Sequence, residues 1–442
     1  MNEKKEGKML KKWLVFGVLL VGIGAVVAAE EKPYAGTKIV VLSASDGAPA
    51  ERIISPWIPV FEERTGIKVE FVELGLDALH TKLVTLFATR SPEVDVVWTY
   101  AAWTAEFAAA GYLEDITDWI DDETKSDLTG AMVAVTYRGR LYGLPKFGSM
   151  RFFYWNKLIF EQAGLDPNTP PSTWDEFVRI AQLTTKDTDG DGVIDQYGFL
   201  PTGLAEGENA VMDFQLLYLL CGGGKLFDEN DQPLFDNEIG VEALKKYVAL
   251  YDAGVIDPAA WTIRSGSDRR ARWMLGNVAM VFEWPALWKL ANDPARSKVA
   301  GHVGIGLLPA IKTTASLDGS EGYAISVFSR NKAAAFEFLK FVASPEVQRD
   351  IALRVGWLPV RQSVYSDPAI RTHPTLSEMF RVAEEFFAGG YPIDRFAAPY
   401  AQEVINEALW PAIVKAVKHE MTPEEALKWA ADKARDIVQK YR

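Results

Sequence analysis

The sequence predicts an α/β protein built from two lobes that hinge against each other. The N-terminal third alternates strands with helices, which is typical of an α/β sheet. The chain has 442 residues and 48% hydrophobic content, enough for two cores. No internal repeat, low-complexity tract or Pro-rich linker divides it, so several chain crossings should interleave the two domains.

The first elements follow from hydrophobic spacing. The stretch TKIVVLSASDG at 37–47 is β-branched and closed by Ser, Asp and Gly, which predicts a buried strand that opens into a loop. Apolar residues at intervals of three and four up to Phe61 predict a helix, and alternation over 67–71 predicts a second strand. A helix over 79–87 and a buried strand at 94–98 complete the unit. Parallel pairing would bring the loops after these strands to one crevice.

Later helices are predicted from their first turns. Thr173 with Glu176 and Thr422 with Glu425 form the sequence pattern of a capping box. Pro345 stands where the first residue of a helix would lie. We therefore expect helices to begin at about these three positions.

The N-terminal 29 residues have the pattern of a secretory signal peptide. Five lysines precede an unbroken apolar stretch over 13–29, which ends in small residues. We expect cleavage after Ala29 and a soluble, exported protein. Because the apolar stretch has 17 residues, an uncleaved membrane anchor is the alternative. The only cysteine, Cys221, lies far from this junction, so the protein should be neither lipidated nor disulfide-bonded within the chain.

The charge of the chain argues against two classes of partner. The formal net charge is −13, and cleavage would remove five lysines and two glutamates to leave −16. No basic run relieves this charge. Such a surface repels nucleic acid and anionic lipid, and we expect neither as a partner.

Motifs of common enzyme classes are absent from the sequence. The four histidines include no paired zinc-binding spacing. GSEG at 319–322 is one residue short of a nucleophile elbow, and CGGGKL at 221–226 lacks the spacing of a phosphate loop. We predict no catalytic residues, although a glycosidase needs only two carboxylates and carries no short motif.

The stretch DTDGDGVIDQYG at 187–198 resembles a calcium-binding EF-hand loop. Its ligand positions would be filled by Asp187, Asp189, Asp191, Asp195 and the carbonyl of Val193. Position twelve is Gly198, so the usual bidentate glutamate is missing. We predict a structural calcium site, and the alternative is an Asp/Gly-rich turn without metal.

Eight stretches occur in an order that identifies a family resemblance: FEERTGIKVEF, FAAAGYLEDIT, GRLYGLPKFGSMRFFYWNKLIFEQAGLDPNTPPSTWDEFVRIA, GNVAMVFEWPALW, GIGLLPAIK, EGYAISVFSRNKAAAFEFLKFVASPEVQ, GWLPVR and MTPEEALKWAADKARDIV. They resemble the extracellular solute-binding proteins of ABC importers, specifically the carbohydrate-binding group that includes maltose-binding protein. The resemblance spans nearly the whole mature chain.

The resemblance implies a two-lobed periplasmic binding protein type II-like fold. It places lobe I at 37–148 plus 323–366, and lobe II at 149–322 plus 367–442. Gly148 and Ser149 would lie at the first crossing and absorb the backbone change of a hinge. It further implies a periplasmic or extracytoplasmic monomer that needs no cofactor, is not an enzyme and delivers a sugar, with a di- or oligosaccharide favoured, to ABC permease subunits.

A sugar receptor needs aromatic rings for the faces of the sugar and charged or amide groups for its hydroxyls. Residues of these types at predicted strand ends, at the crossings and, for the last two, in the C-terminal insertion are Asp46, Trp98, Tyr100, Trp103, Arg151, Glu283, Trp284, Trp288, Tyr323, Arg395 and Tyr400. Family members carry an arginine at the position of Arg151, but the carboxylate that many have nearby is replaced here by Gly148 and Ser149. This departure leaves the identity of the ligand open.

Each of these assignments has an alternative. A tryptophan near a strand end often packs in the core, Arg151 would equally suit a structural ion pair, and Asp46 would suit a turn or helix cap. Glu208, Asn209 and Asp213 precede a predicted helix and would suit the far wall of the cleft, but capping is the preferred interpretation for them. At the level of function, the alternatives are a receptor for a polyamine or another small solute, which an acidic surface permits, and an exported carbohydrate-acting enzyme.

Overall fold

The computed structural model describes residues 32–45 and 52–442, and Tyr34–Arg442 form one compact unit. The predicted signal peptide and Asp46 lie outside the described residues. Within the part that is described, no helix combines the length and apolar character needed to cross a bilayer.

Thirteen strand segments are assigned in chain order: β1 Lys38–Ala44, β2 Lys68–Leu74, β3 Val96–Tyr100, β4 Thr136–Tyr137, β5 Arg140–Leu141, β6 Gly143–Phe147, β7 Phe152–Asn156, β8 Tyr197–Leu200, β9 Val278–Glu283, β10 Val303–Gly306, β11 Ser316–Leu317, β12 Glu321–Ile325 and β13 Ile393–Asp394, all within the described ranges.

The α-helices of these ranges are α1 Ile58–Thr65, α2 Leu76–Ala88, α3 Ala101–Ala109, α4 Asp122–Asp127, α5 Lys157–Gln162, α6 Trp174–Thr184, α7 Gly207–Leu220, α8 Glu238–Asp252, α9 Gly266–Met274, α10 Ala286–Ala291, α11 Lys332–Val342, α12 Pro345–Val355, α13 Gln362–Tyr365, α14 Pro368–Arg371, α15 Leu376–Ala388, α16 Ala401–Val404, α17 Trp410–Val417 and α18 Pro423–Gln439. A π-helical turn at Ile405–Leu409 joins α16 to α17.

A five-stranded mixed sheet organises lobe I, in the order β2-β1-β3-β12-β6. β1 pairs in parallel with β2 and with β3, as the strand–helix–strand pattern predicts. β12, which arrives from much later in the chain, pairs antiparallel with β3 and β6. Glu321 therefore lies opposite both Tyr100 and Phe147, at the edge of the sheet where β3 and β6 end.

A four-stranded sheet organises lobe II, in the order β10-β7-β9-β8. β7 pairs antiparallel with β9, so that Phe152 lies opposite Glu283. β8 pairs in parallel with β9 and ends beside it at Leu200. The end of β9, the end of β8 and the start of β7 thus share one edge, and the chain enters that edge directly from β6 through 148–151.

The early local predictions are confirmed. Gly66 ends α1 in a left-handed conformation with φ of 74°, which a glycine adopts without steric cost. Both capping boxes form, at Thr173 and at Thr422, and Pro345 is the first residue of α12. These features depend on neighbours in the sequence, which is why the sequence predicts them well.

The lobe boundaries remain a prediction, and one region complicates them. Ala352, Leu358 and Val364 belong by sequence to lobe I, yet they share a core with Met150 and Phe152 at the start of the second sheet. Residues in and after α12 therefore divide between the two cores, because Val355 and Val360 stay in the core of the first sheet.

Candidate functional site

The crossings between the two sheets are tied together by backbone hydrogen bonds. The N–H of Gly148 donates to the carbonyl of Leu358 at 2.7 Å, and the N–H of Leu358 donates back at 3.1 Å. The N–H of Gly319 donates to the carbonyl of Ser149 at 3.0 Å, and the N–H of Ser149 donates to Oγ of Ser320 at 3.1 Å. Three separate stretches of chain therefore meet at the predicted hinge.

An aromatic cluster closes the edge of the first sheet. The ring centroids of Trp98 and Trp103 lie 5.0 Å apart, and Tyr100 lies 5.6 Å from Trp98. Trp98 is 3% exposed and donates from Nε1 to Glu321 at 2.8 Å, and Trp103 is 5% exposed. Tyr100 is partly exposed. The two tryptophans thus form a base that supports the Tyr100 ring.

Residues of the second lobe meet Tyr100 directly. The guanidinium carbon of Arg395 lies 5.5 Å from the centre of the Tyr100 ring, and Arg395 forms an ion pair with Glu208. Burial, and then the charge of Glu208, raises the pKa of Tyr100 well above its ordinary value. The capping interpretation of Glu208 is wrong, because this carboxylate pairs with Arg395 instead. Tyr100, Glu208 and Arg395 therefore form a polar contact that joins the end of β3 to α7 and to the residue after β13.

Arg151 lies between the hinge and the second sheet. It is 1% exposed and donates to the carbonyl of Phe282 at 2.6 Å and to Oγ1 of Thr202 at 3.1 Å. Its guanidinium carbon lies 4.0 Å from the centre of the Trp284 ring, which is partly exposed. Arg151 and Trp284 are therefore stacked, as in a cation–π pair.

Glu283 is completely buried beside this pair. It forms an ion pair with Arg269, lies 3.6 Å from Nη1 of Arg270 and accepts the N–H of Trp284 at 3.0 Å. Burial alone would raise the pKa of Glu283, but Arg269, Arg151 and Arg270 hold it below the ordinary value. Glu283 thus anchors the arginine side chains around Trp284.

Three other candidates are buried and bonded within the protein. Nε1 of Trp288 donates to the carbonyl of Thr375 at 2.7 Å. The Tyr323 hydroxyl lies 2.9 Å from Oγ of Ser43, and the Tyr400 hydroxyl donates to Asp231 at 2.7 Å. Their role in ligand contact stays a prediction.

Sequence reasoning missed two carboxylates at the crossings. Asp318 is 4% exposed and accepts a hydrogen bond from Oγ of Ser320 at 2.7 Å. Its N–H donates to the carbonyl of Asp394 at 3.0 Å. Burial raises the pKa of Asp318 to about 7 and that of Asp394 to about 6. The signal for Asp318 was its place just before β12, in the turn SLDGS.

For Asp213 the sequence favoured a helix cap over a place in the far wall of the cleft, and the capping interpretation is also wrong. It lies inside α7, where its carboxylate accepts the N–H groups of Thr202 and Gly203, both at 3.1 Å. The Tyr247 hydroxyl donates to it at 3.0 Å. Asp213 therefore fixes the loop that follows β8, at the edge of the second sheet.

The calcium-like loop brings part of its predicted ligand set together. Carboxylate oxygens of Asp187, Asp189 and Asp191 all lie within 4.8 Å of one another. Asp187 accepts the N–H groups of Gly190 and Gly192, both at 2.7 Å, and these bonds lower its pKa. Asp195 instead accepts from the N–H and hydroxyl of Thr188, and Val193 donates its N–H to Asp191. Three acidic side chains suit a calcium ion, and calcium itself stays a prediction.

Comparison with known proteins identifies relatives over most of the chain. The family described as bacterial extracellular solute-binding protein matches residues 42–349. A probable amino-acid ABC transporter periplasmic-binding protein of Sinorhizobium fredii is 28% identical over 412 residues, covering 90% of this chain and 89% of its own. The mannitol-binding protein of Pseudomonas aeruginosa is 28% identical over 336 residues, covering 73% and 75%.

Solved structures of sugar-bound proteins also match this chain over most of its length. The maltose-bound protein MalE3 of T. maritima has a TM-score of 0.76 at 27% identity, covering 91% of this chain and 100% of its own. A solute-binding protein of Thermotoga lettingae bound with α-D-tagatose has a TM-score of 0.77 at 26% identity, again covering 91% and 100%.

Proposed function

This chain belongs to the bacterial extracellular solute-binding proteins, and on that premise we propose that it captures a sugar between its two lobes and delivers it to the permease of an ABC importer. Similar proteins that bind mannitol, maltose and tagatose support a sugar or polyol. The Sinorhizobium fredii relative, by contrast, is named for amino acids and does not support a sugar. Export by the N-terminal segment, a monomeric state, a di- or oligosaccharide ligand and the absence of catalysis are part of the same proposal.

One observation carries the proposal: a supported aromatic ring of one lobe meets charged groups of the other. Tyr100 rests on Trp98 and Trp103 and faces Arg395 and Glu208. A sugar presents C–H faces to a ring and hydroxyls to charged groups, so this pairing suits it. A solute that contacts both lobes stabilises the closed arrangement, because it binds that arrangement better than the open one.

The proposal is tested by calorimetry and thermal melting of the protein with mono-, di- and oligosaccharides and polyols, with spermidine and amino acids as separate arms. One sugar or polyol should raise the melting temperature and be recovered intact. Tyr100→Ala should weaken its binding by at least about 1 kcal/mol, through loss of the ring face. Trp119→Ala, at an exposed ring that packs on Phe336, is the control and should leave binding unchanged.

The arms separate the alternatives. A response to spermidine or an amino acid alone would refute the sugar. A sugar that is returned cleaved would show an enzyme, and the receptor function would then be wrong.

A further inference from the structure

Two buried arginines and one partly buried arginine surround a single glutamate beside Trp284. Arg151 and Arg269 are each 1% exposed, and the side chain of Arg270 is 13% exposed. Glu283 is the carboxylate that they share. Asp213 and Arg395 also act on Arg151, and Arg395 is paired with Glu208, so four positive charges stand against three negative ones. This group of Arg151, Arg269, Arg270 and Glu283 is called the arginine cluster below.

Hydrogen-bond donors of the arginine cluster lack partners. Nε of Arg151, Nη1 of Arg269 and Nε of Arg270 are buried and make no hydrogen bond. Oγ of Ser149, two residues before Arg151, is also unpartnered. These are four of the seven such side-chain atoms found in the described part of the chain. Since buried polar groups are normally paired, their concentration at one place indicates a missing acceptor.

The electrostatics agree with the geometry. Burial, and next the charge of Arg269, lowers the pKa of Arg151 to about 9. A guanidinium normally titrates far higher, so its positive charge is poorly compensated. An added negative charge would correct both the charge balance and the unpaired donors.

The arginine cluster lies at the edge of the second sheet, beside the crossings. Glu283 ends β9, and Arg151 lies in the crossing that leads to β7, so both stand at the edge of the second sheet where the chain passes between the lobes. A Cβ added at Gly319 would meet both the Trp284 ring, at 2.6 Å, and Oγ of Ser149, at 2.9 Å. Ser149, Trp284 and, stacked on Trp284, Arg151 therefore border one small region next to the hinge, and Glu283 links Arg269 and Arg270 to it.

We propose that the solute of this protein carries an anionic group, a carboxylate as in a uronic or aldonic acid, and that this group binds to the arginine cluster beside Trp284. This inference rests on the proposed sugar-binding function and narrows it to acidic sugars. A guanidinium fork matches the two oxygens of a carboxylate, which accept without donating. A neutral hydroxyl brings a proton of its own, for which the unpaired arginine donors offer no acceptor.

The acidity of the whole protein does not oppose this assignment. Its net charge is −13, but salt screens charges over about 8 Å at physiological ionic strength. The electrostatic energy of an anion between the lobes depends mainly on the charged groups that contact it, and in this proposal these are arginines. The field at the site is therefore set locally.

The test compares matched pairs of ligands by calorimetry: hexoses with their uronic acids, a disaccharide with its acidic counterpart, and sugar phosphates as a third arm. An acidic sugar should bind at least about tenfold more tightly than its neutral partner. In Arg270→Gln, which changes the most exposed member of the cluster, the ratio of the two affinities should fall toward one. Arg270→Lys, which keeps the charge but not the fork, should give an intermediate ratio.

Arg381→Gln is the matched control, because Arg381 is an exposed arginine that pairs with Glu385 on its own helix. The ratio should be unchanged in this variant. Equal or tighter binding of the neutral partner overturns the acidic-sugar inference and leaves the receptor function standing. Preference for the phosphate overturns the carboxylate, and failure of every sugar to bind overturns the proposed function itself.

Discussion

The buried carboxyl group of Asp318 should make the stability of this protein fall as the pH rises. An aspartate ordinarily has a pKa near 3.8, and burial raises that of Asp318 to about 7, with Asp394 adding to the rise and Ser320 and Arg395 opposing it. Between these two values the unfolded chain loses its proton while the folded chain keeps it. The contribution to stability is therefore fully present below pH 3.8 and is lost as the pH rises to 7.

The size of the effect follows from the same two values. Each pH unit between them costs about 1.4 kcal/mol, so the free energy of unfolding should be lower by about 4 kcal/mol at pH 8 than at pH 4 through this group. Asp318→Asn keeps the shape and an oxygen that accepts from Ser320, but it cannot ionise. In this variant, position 318 should make no contribution to a fall in the free energy of unfolding between pH 4 and pH 8.

The assay is urea unfolding of the ligand-free protein at several pH values from 4 to 8, for the wild type and Asp318→Asn. The difference between their unfolding free energies should grow with pH in favour of the variant. Asp175→Asn, at an exposed position, is the control and should run parallel to the wild type. Parallel curves for Asp318→Asn would refute the reasoning, because the carboxyl would then titrate as it does in the unfolded chain.

Three further outcomes are expected. Glu283→Gln should destabilise the protein by about 3 kcal/mol in urea unfolding, because it leaves buried guanidinium groups without their counter-charge, whereas the exposed Glu385→Gln should cost less than about 1 kcal/mol. Gly143→Ala should lower the melting temperature through a loss of about 2 kcal/mol, since its Cβ would lie 2.2 Å from the carbonyl oxygen of Tyr323. Millimolar calcium should raise the melting temperature and Asp189→Asn should abolish that rise; an unresponsive wild type would rule out the calcium site.

The sequence predicted the framework well because the framework is encoded locally. Helix starts depend on side chains three residues apart, as at Thr173, and strands depend on alternation over a few residues. The rule that loops after strand ends meet at one crevice placed Tyr100 and Trp284 near the crossings, and the structure has Tyr100 at the end of β3 and Trp284 directly after β9. Their role in ligand binding stays a prediction.

Burial and pairing within the site were beyond the sequence because they depend on distant residues. Glu208 meets Arg395, which is 187 positions away, so its neighbours in the chain gave no hint of the ion pair. Trp98 and Tyr100 lie two positions apart and therefore on the same face of β3. Trp98 nevertheless donates a hydrogen bond to Glu321, a residue of β12 that lies 223 positions later in the chain. Aromatic content at a strand end thus predicts a site but cannot distinguish its surface from its support.

The arginine cluster is adjacent to the hinge, because its member Arg151 lies in the same crossing as Gly148 and Ser149. Ser149 is hydrogen-bonded through its backbone to Gly319 and Ser320, and Arg151 follows it by two positions. A solute group that pairs with Arg151 therefore acts on the crossing itself, in addition to the contacts made across the cleft at Tyr100. A ligand shifts the equilibrium between the open and closed forms only if it binds one form more tightly than the other. A solute group held at the crossing therefore favours closure when the crossing has a different geometry in the two forms. Replacing an anionic group by a neutral one should thus weaken both binding and closure, and the two losses should scale together in scattering measurements of the liganded protein.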